Sequence, residues 1–333
     1  MITQDSHGRR FQYLRLSVTD VCNFRCVYCL PNGYPALDSQ AGLRAENPLR
    51  LNEIGNLVAG FADMGFWKVR LTGGEPSVRG DLVEIARLVT ATSGIRQVAL
   101  STNGYRLRSL ARPLVDAGVS AFNISVDSLD PRAFHQITGM DRLSEVLEGI
   151  QAVIDLGVKR VKLNAVLMRG LNDRPEDLAR FLDWVKARPV SVRFIELMRT
   201  GENADLFNRH HVSAGTLRLE LLRAGWFPEA RRDGDGPAVE FSHSDSLGKI
   251  GIIAPYSEGF CGNCNRLRIN SRGALRLCLF GTGEQSLRSL LQSPSQKDEL
   301  IQTVQNLLSE KAPTHFLKEG NYGITQNLSA IGG

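Results

Sequence analysis

A chain of 333 residues, 42% hydrophobic and 23% charged, is long enough for one large folded unit plus a smaller appendage, and its composition excludes disorder as a default. A net charge of +5 favours an anionic partner without choosing among nucleic acid, phosphorylated metabolites and membrane surface. Met1 to Val18 contains no apolar signal core and no stretch is apolar for the length of a membrane span, so a cytoplasmic protein with no membrane partner is expected.

From Tyr13 to Met198 one unit recurs about every 30 residues: a short aliphatic or β-branched run, a loop rich in Gly, Asp, Asn or Ser, then a segment of helical period. The predicted strands are Tyr13 to Val18, Lys68 to Thr72, Gln97 to Thr102, Ala121 to Asp127, Arg160 to Leu167 and Ser191 to Met198. Helices are predicted at Asn52 to Met64, Gly80 to Thr92, Leu107 to Ala117, Arg142 to Leu156 and Arg174 to Lys186. Such alternation describes consecutive βα units around a parallel sheet.

Parity within the strands adds a second statement. Leu14, Leu16 and Val18 oppose Arg15 and Ser17; Val69 and Leu71 oppose Lys68, Arg70 and Thr72; Phe122, Ile124 and Val126 oppose Asn123, Ser125 and Asp127. The fifth run opposes Val161, Leu163 and Ala165 to Lys162 and Asn164, and in the sixth Arg193 opposes Val192 and Phe194. One face is apolar and must pack on the helices, while the other is polar and basic. A closed eight-stranded barrel fills its interior with branched aliphatics. The expected fold is therefore α/β, a partial (β/α)6-type TIM barrel with a cationic lumen that offsets its repulsion by binding an anion of several charges.

Beyond Met198 the rhythm changes, and the chain is divided into a barrel over residues 1–200 and a smaller α+β subdomain over 201–333. That region holds a helical piece near Thr216 to Ala224, strands at Ala238 to Ser242 and Lys249 to Ile253, a hairpin from Leu267 to Leu279, and helices at Leu287 to Gln292 and Lys297 to Leu308. His210 and His211 read as an exposed loop pair; Asp127 and Asn164 are either lumen hydrogen-bonding groups or ligand contacts.

All six cysteines fall in two groups of three, Cys22, Cys26, Cys29 and Cys261, Cys264, Cys278. Three cannot pair off internally, and cytosolic chains seldom use such groups as disulfides, so metal ligation is the expectation. The first group lies just past the first strand, on the side where a barrel carries its chemistry. Three thiolates can hold three irons of a four-iron cluster and leave the fourth open to a small molecule; a three-ligand zinc site is the alternative.

The first triad, with Tyr28 before its last cysteine and Arg15-Leu16-Ser17-Val18-Thr19-Asp20 ahead of it, resembles the opening motif of the radical S-adenosylmethionine superfamily. Thr72-Gly73-Gly74-Glu75-Pro76 is similar to that superfamily's glycine-rich cofactor segment. Phe260-Cys261-Gly262-Asn263-Cys264-Asn265-Arg266-Leu267-Arg268, with Cys278 and the terminal Gly332-Gly333, resembles the GTP 3′,8-cyclase family of molybdenum cofactor biosynthesis. The likeness runs from about Asp5 to Gly333; Leu30 stands where that family often has methionine, and residues 201–236 show no motif.

The resemblance implies a radical lyase that abstracts hydrogen from the ribose 3′ carbon of GTP and joins that carbon to guanine C8, giving 3′,8-cyclo-7,8-dihydro-GTP. By it, Cys22, Cys26 and Cys29 hold the [4Fe-4S] cluster that cleaves S-adenosylmethionine, against which lie Tyr28, Gly73, Gly74, Glu75, Ser125 and Met198. Arg15, Lys68, Arg70, Ser101, Thr102, Lys162, Arg193, Arg266, Leu267 and Arg268 surround GTP. Cys261, Cys264 and Cys278 hold a second [4Fe-4S] cluster whose open iron takes the guanine, and Gly332-Gly333 forms a catalytic tail reaching the site. The implied partners are GTP, an external electron donor and, downstream, cyclic pyranopterin monophosphate synthase; a homodimer is allowed, and nucleic acid is not expected.

Two rivals explain less. A radical enzyme that modifies peptides usually carries more C-terminal cysteines. A zinc-ribbon nucleic-acid binder accounts for both cysteine groups but not for six βα units with a basic lumen, and no surface aromatics are interleaved to stack bases.

Overall fold

The computed structural model describes residues 3–30, 47–231, 234–329 and 331. The chain alternates β1 (Tyr13–Thr19), α1 (Leu51–Asp63), β2 (Lys68–Gly73), α2 (Leu82–Ala91), β3 (Gln97–Thr102), α3 (Leu107–Asp116), β4 (Val119–Ser125), α4 (Pro131–Thr138), α5 (Leu143–Asp155), β5 (Val161–Leu167), α6 (Pro175–Lys186) and β6 (Ser191–Glu196). There follow α7 (Ala204–His210), α8 (Ala214–Arg223), β7 (Phe227–Pro228), β8 (Val239–Ser242), β9 (Lys249–Ile253), β10 (Arg266–Ile269), β11 (Ala274–Arg276), β12 (Gln285–Ser286) and α9 (Lys297–Ser309).

The first six strands run parallel in chain order, as their alternation with helices requires. The C-terminal strands do not build a sheet of their own. β10 adds in parallel to the free edge of β1 and β9 in parallel to β6, and short antiparallel strands finish both ends in the order β12-β11-β10-β1-β2-β3-β4-β5-β6-β9-β8-β7. The partial barrel is thus eight parallel strands wide among the described residues, two more than the repeat implies.

Its apolar face follows the parity. Leu14, Leu16, Val69, Leu71, Ile124, Leu163, Val192 and Phe194 join one core with Ile54, Leu57 and Phe61 of α1 and with the inner faces of the other helices. Helix α1 buries these side chains because they recur at the three- and four-residue spacing of one helical face.

Several expectations need correction. The fourth strand is displaced to Val119–Ser125, and Asp127 has left the ladder to accept the Val166 amide. Helix α4 was absent from the sequence reading, although Asp130 caps the amides of Arg132 and Ala133, Pro131 opens the first turn and Gly139 closes the last at φ 70°. Helix α7 was also missed, and Leu287 to Gln292 forms only a 3-10 turn over Arg288–Leu291. The hairpin's second strand stops at Arg276, which leaves Cys278 in a loop. His210 and His211 are half-buried rather than exposed: His210 Nδ1 lies 2.8 Å from the Arg169 carbonyl, and His211 Nε2 lies 2.9 Å from Glu196 Oε1. No helix among the described residues is long and apolar enough to cross a membrane.

Candidate active site

Cys22, Cys26 and Cys29 sit in the loop leaving the C-terminal end of β1, all half-buried and none in a disulfide. The loop coils tightly: the amides of Cys29 and Leu30 both donate to the Cys26 carbonyl, at 2.9 and 2.8 Å. Beside it the end of β2 approaches closely. A Cβ on Gly73 would stand 2.1 Å from the Thr19 carbonyl oxygen and one on Gly74 2.2 Å from that of Val21, so only glycine lets the two loops touch. Their contact is fixed by Gly74 N donating to Thr19 O and Glu75 N donating to Val21 O.

Burial pushes the Cys22 thiol up to about 12, with the Glu75 charge adding to it. Burial likewise holds Cys26 and Cys29 far above the usual thiol range, followed for Cys26 by the Asp127 charge and for Cys29 by Cys22. Three such thiols ionise only against compensating positive charge, which a metal cluster bound through them provides; the donor set fits an iron-sulfur cluster in that respect. Among the described residues no three His, Cys, Asp or Glu side chains are gathered as ligands of a single metal ion.

Tyr28 donates its hydroxyl to Asp127 Oδ2 at 3.0 Å, which ties the triad loop to the end of β4. Asp127 is thereby a structural group and not a lumen contact. Glu75 is also committed. Its carboxylate accepts from the Ser77 amide, the Thr102 hydroxyl and the Asn103 amide, binding the loops after β2 and β3 together. Ser125, at the end of β4, is half-buried beside Asn164 in the register.

The second triad lies across the lumen. Cys261 and Cys264 precede β10 and Cys278 follows β11, and all three line one cavity with Arg15, Lys68, Arg70, Lys162, Arg193, Arg266 and Arg268. Register explains the gathering: Arg15 stands between Arg70 and Arg268 on adjoining strands, and the next positions are the small Ala99 and Ala121, which leave space. Burial, then Arg268, pulls Arg15 well below the usual guanidinium range, while burial and Arg193 bring Lys162 to about 7. Burial and Arg266 bring Arg268 to about 10. These cations are costly to bury together and are stabilised by an anion of high charge density.

Tyr13, Asn123 and Asn164 complete the wall, and Glu240 backs it. Tyr13 lies under Lys68 and Arg70, its ring centroid 4.7 Å from Lys68 Nζ, and Asn123 joins Asn164 in presenting a buried Oδ1 without a hydrogen-bond partner among the described residues. Glu240 of β8 accepts from Ser191 Oγ at 2.6 Å and from Arg193 Nε at 2.7 Å. Alternation had marked Asn123 as polar-facing but carried no sign of the Glu240 contact. Met198 lines the cavity and packs on the same apolar cluster as Cys29 and Cys278.

Three residues grouped around the nucleotide do not line the cavity. Ser101 stands behind Arg70, accepting from its guanidinium at 3.1 Å, while Thr102, the next residue of the strand, points to the opposite face and donates to Glu75. Leu267, between Arg266 and Arg268, is fully buried in the apolar core for the same reason. Gly332 and Gly333 lie outside the described residues, but Ile331 is buried with Leu279, Phe280, Leu317 and Leu328, against which Cys29 and Cys278 pack.

A parallel partial barrel with a thiol triad beyond its first strand, a glycine-rich second loop and a second triad across the lumen defines a class, and the comparisons agree. Residues 16–182 match the model of the radical SAM superfamily, and residues 190–317 match that of the Molybdenum Cofactor Synthesis C region. A GTP 3′,8-cyclase of Aeromonas hydrophila is 54% identical over 331 residues, 99% of this chain and 96% of the relative; one of Yersinia pestis is 53% identical over 329 residues, 99% and 98%. The chain belongs to the GTP 3′,8-cyclase family of radical SAM enzymes. Among solved structures, Streptococcus suis SuiB bound to S-adenosylmethionine shares the fold, with a TM-score of 0.55 at 16% identity over 97% of this chain and 76% of that one.

Proposed function

We propose that this protein binds GTP in its cationic lumen and joins the ribose 3′ carbon to guanine C8, forming 3′,8-cyclo-7,8-dihydro-GTP for molybdenum cofactor synthesis. The observation that carries the reading is the gathering of Arg15, Lys68, Arg70, Lys162, Arg193, Arg266 and Arg268 in a cavity lined by the second triad. S-adenosylmethionine on a reduced [4Fe-4S] cluster held by Cys22, Cys26 and Cys29, with a second [4Fe-4S] cluster on Cys261, Cys264 and Cys278, supplies the one-electron chemistry.

The chain's own part is placement. Guanidinium forks on β1, β2 and β10 grip phosphate oxygens with paired donors, and Lys68 and Lys162 add point charges. With the triphosphate fixed at one end and the base directed to the second triad, the ribose is held between the two cysteine groups, so its reacting atoms do not have to find one another. Asn123 and Asn164 offer acceptors in the middle of the lumen, where a sugar or base donor satisfies them. Tyr28, Gly73, Gly74, Ser125 and Met198 are the residues that would hold S-adenosylmethionine.

The same reading divides the chain near residue 200, places it in the cytoplasm, and gives it an external electron donor, a downstream cyclic pyranopterin monophosphate synthase and an optional homodimer. Anaerobic incubation with reductant, S-adenosylmethionine and each nucleoside triphosphate, followed by mass analysis, tests the activity. A new isomer of GTP alone is expected; no product, or one from every nucleotide, refutes it. Cys26→Ala abolishes cofactor cleavage, whereas Cys264→Ala retains some cleavage and loses the cyclised nucleotide.

A further inference from the structure

The two triads sit in opposite electrostatic surroundings. Two carboxylates flank the first: Asp127 accepts from Tyr28 beside Cys29 at 3.0 Å, and Glu75 donates its amide to the carbonyl of Val21 beside Cys22. At the second stand three cations: Arg266 lines the same cavity as Cys264, Arg9 Nη1 reaches the Cys261 carbonyl at 3.5 Å, and Lys311 Nζ donates to the carbonyl beside Cys278. Arg266 belongs to the lumen and has the substrate to serve. Arg9 already pairs with a carboxylate, its Nε 2.6 Å from Asp5 Oδ2, and its other donors hold the carbonyls of Cys261, Lys311, Ala312 and Pro313. Lys311 has neither explanation.

Lys311 follows α9 and is 3% exposed, its Nζ over the Phe11 ring at 5.6 Å from the centroid and donating to the carbonyl of Leu277, the residue before Cys278. It does not line the lumen; it faces an outer pocket on the other side of Cys278, with Glu284, Glu310 and Phe316. Among the described residues Nζ makes no ion pair with a carboxylate, and the carbonyl it holds belongs to the residue before Cys278. A buried ammonium without a carboxylate is destabilising unless something negative lies beside it. The Cys278 thiolate, one residue from its acceptor and in the same pocket, is placed to supply that charge together with whatever it ligates.

We propose that Lys311 is a positioning charge for the second iron-sulfur cluster: standing behind Cys278 on the side away from the lumen, it stabilises the cluster's reduced form and raises its reduction potential relative to the first. The inference rests on the proposed function, since it needs a cluster on the second triad. Its physical basis is that reduction adds negative charge to a group already carrying thiolate charge. A fixed cation within a low-dielectric wall favours that step, and hydrogen bonding and net charge are the established levers on such potentials.

The test is an EPR-monitored redox titration of anaerobically reconstituted holoenzyme, wild type against Lys311→Met and Lys311→Arg; the signal perturbed by S-adenosylmethionine identifies the first cluster. In Lys311→Met the reduced-to-oxidised ratio of the second cluster at a given potential falls about tenfold, a shift of about 59 mV for one electron. The first cluster does not move, and Lys311→Arg stays near wild type. A Lys311→Met protein that keeps both clusters and wild-type potentials overturns the proposal. If Lys311→Met fails to retain the second cluster, Lys311→Arg decides: retention there supports a requirement for charge, and loss there overturns it in favour of shape. Wild-type protein that takes up no iron on the second triad defeats the proposed function itself, and is read separately from these outcomes.

Discussion

Arg193 of β6 and Glu240 of β8 meet across the intervening strand, over Gly251, whose missing side chain leaves the space for their bond. A Cβ there would stand 2.8 Å from Arg193 Cγ and 3.2 Å from Glu240 Oε2. Burial would raise the Glu240 carboxyl, but Arg193 and the Ser191 hydroxyl outweigh it and hold it below its usual value. Glu240 thus sets a fixed negative charge against the cation cluster.

Replacing Glu240 with Gln removes that charge and leaves the shape. The ligand-free protein is expected to lose roughly 1–3 kcal/mol of stability, because Arg193 and Lys162 then repel without offset. GTP replaces the lost anion, so its stabilising shift in Tm is larger in the variant than in wild type. Thermal melts with and without GTP measure both, and an equal or smaller shift in the variant counts against the role.

Lys162 gives a pH dependence with a defined sign. Burial and Arg193 lower it to about 7 in the folded chain from 10.5, so between those values the unfolded chain holds more protons and stability rises with pH. Below pH 7 the full cost is carried. A bound triphosphate restores the proton, so GTP binding at pH 8 takes up about one proton. Calorimetry in two buffers of different ionisation enthalpy reads that uptake, and Lys162→Arg, which stays charged at this pH, should abolish it.

Glu75 is expected to hold structure and not cofactor. In Glu75→Gln the new NH2 confronts either the Asn103 amide or the donors of Ser77 and Thr102, at about 1–3 kcal/mol. Tm falls while affinity for S-adenosylmethionine changes little. A variant of normal Tm with weakened cofactor binding reverses the assignment.

Ile331 is 1% exposed at the end of the described chain, between elements carrying Cys29 and Cys278. A tail can undock without unfolding the barrel. Ile331→Ala, or deletion of Gly332 and Gly333, is therefore expected to reduce turnover roughly tenfold, as about 1.4 kcal/mol of lost docking does, with little change in Tm or iron content. Unimpaired turnover in both variants would separate the tail from the chemistry.

What the sequence determined by itself is local or periodic. Two cysteine triads are short-range patterns, and strand alternation places Arg15, Arg70, Lys162 and Arg193 on one face because the side-chain period of a strand is two. The same rule, applied to neighbours, excludes Thr102 from the face of Ser101 and Leu267 from that of Arg266 and Arg268; the family resemblance overrode it at those positions. Helix α4 was legible in Asp130, Pro131 and Gly139, but its apolar pattern is short.

Only the tertiary structure decided which distant strands pair. β10 lies beside β1 and β9 beside β6, which brings the second triad and its arginines to the lumen. It also set Glu240 against Arg193 and Lys311 on the carbonyl of Leu277, contacts spanning 47 and 34 residues. Such pairings come from closing long loops around one core. That entropy is recovered by the whole packed sheet and leaves no trace in the residues on either side.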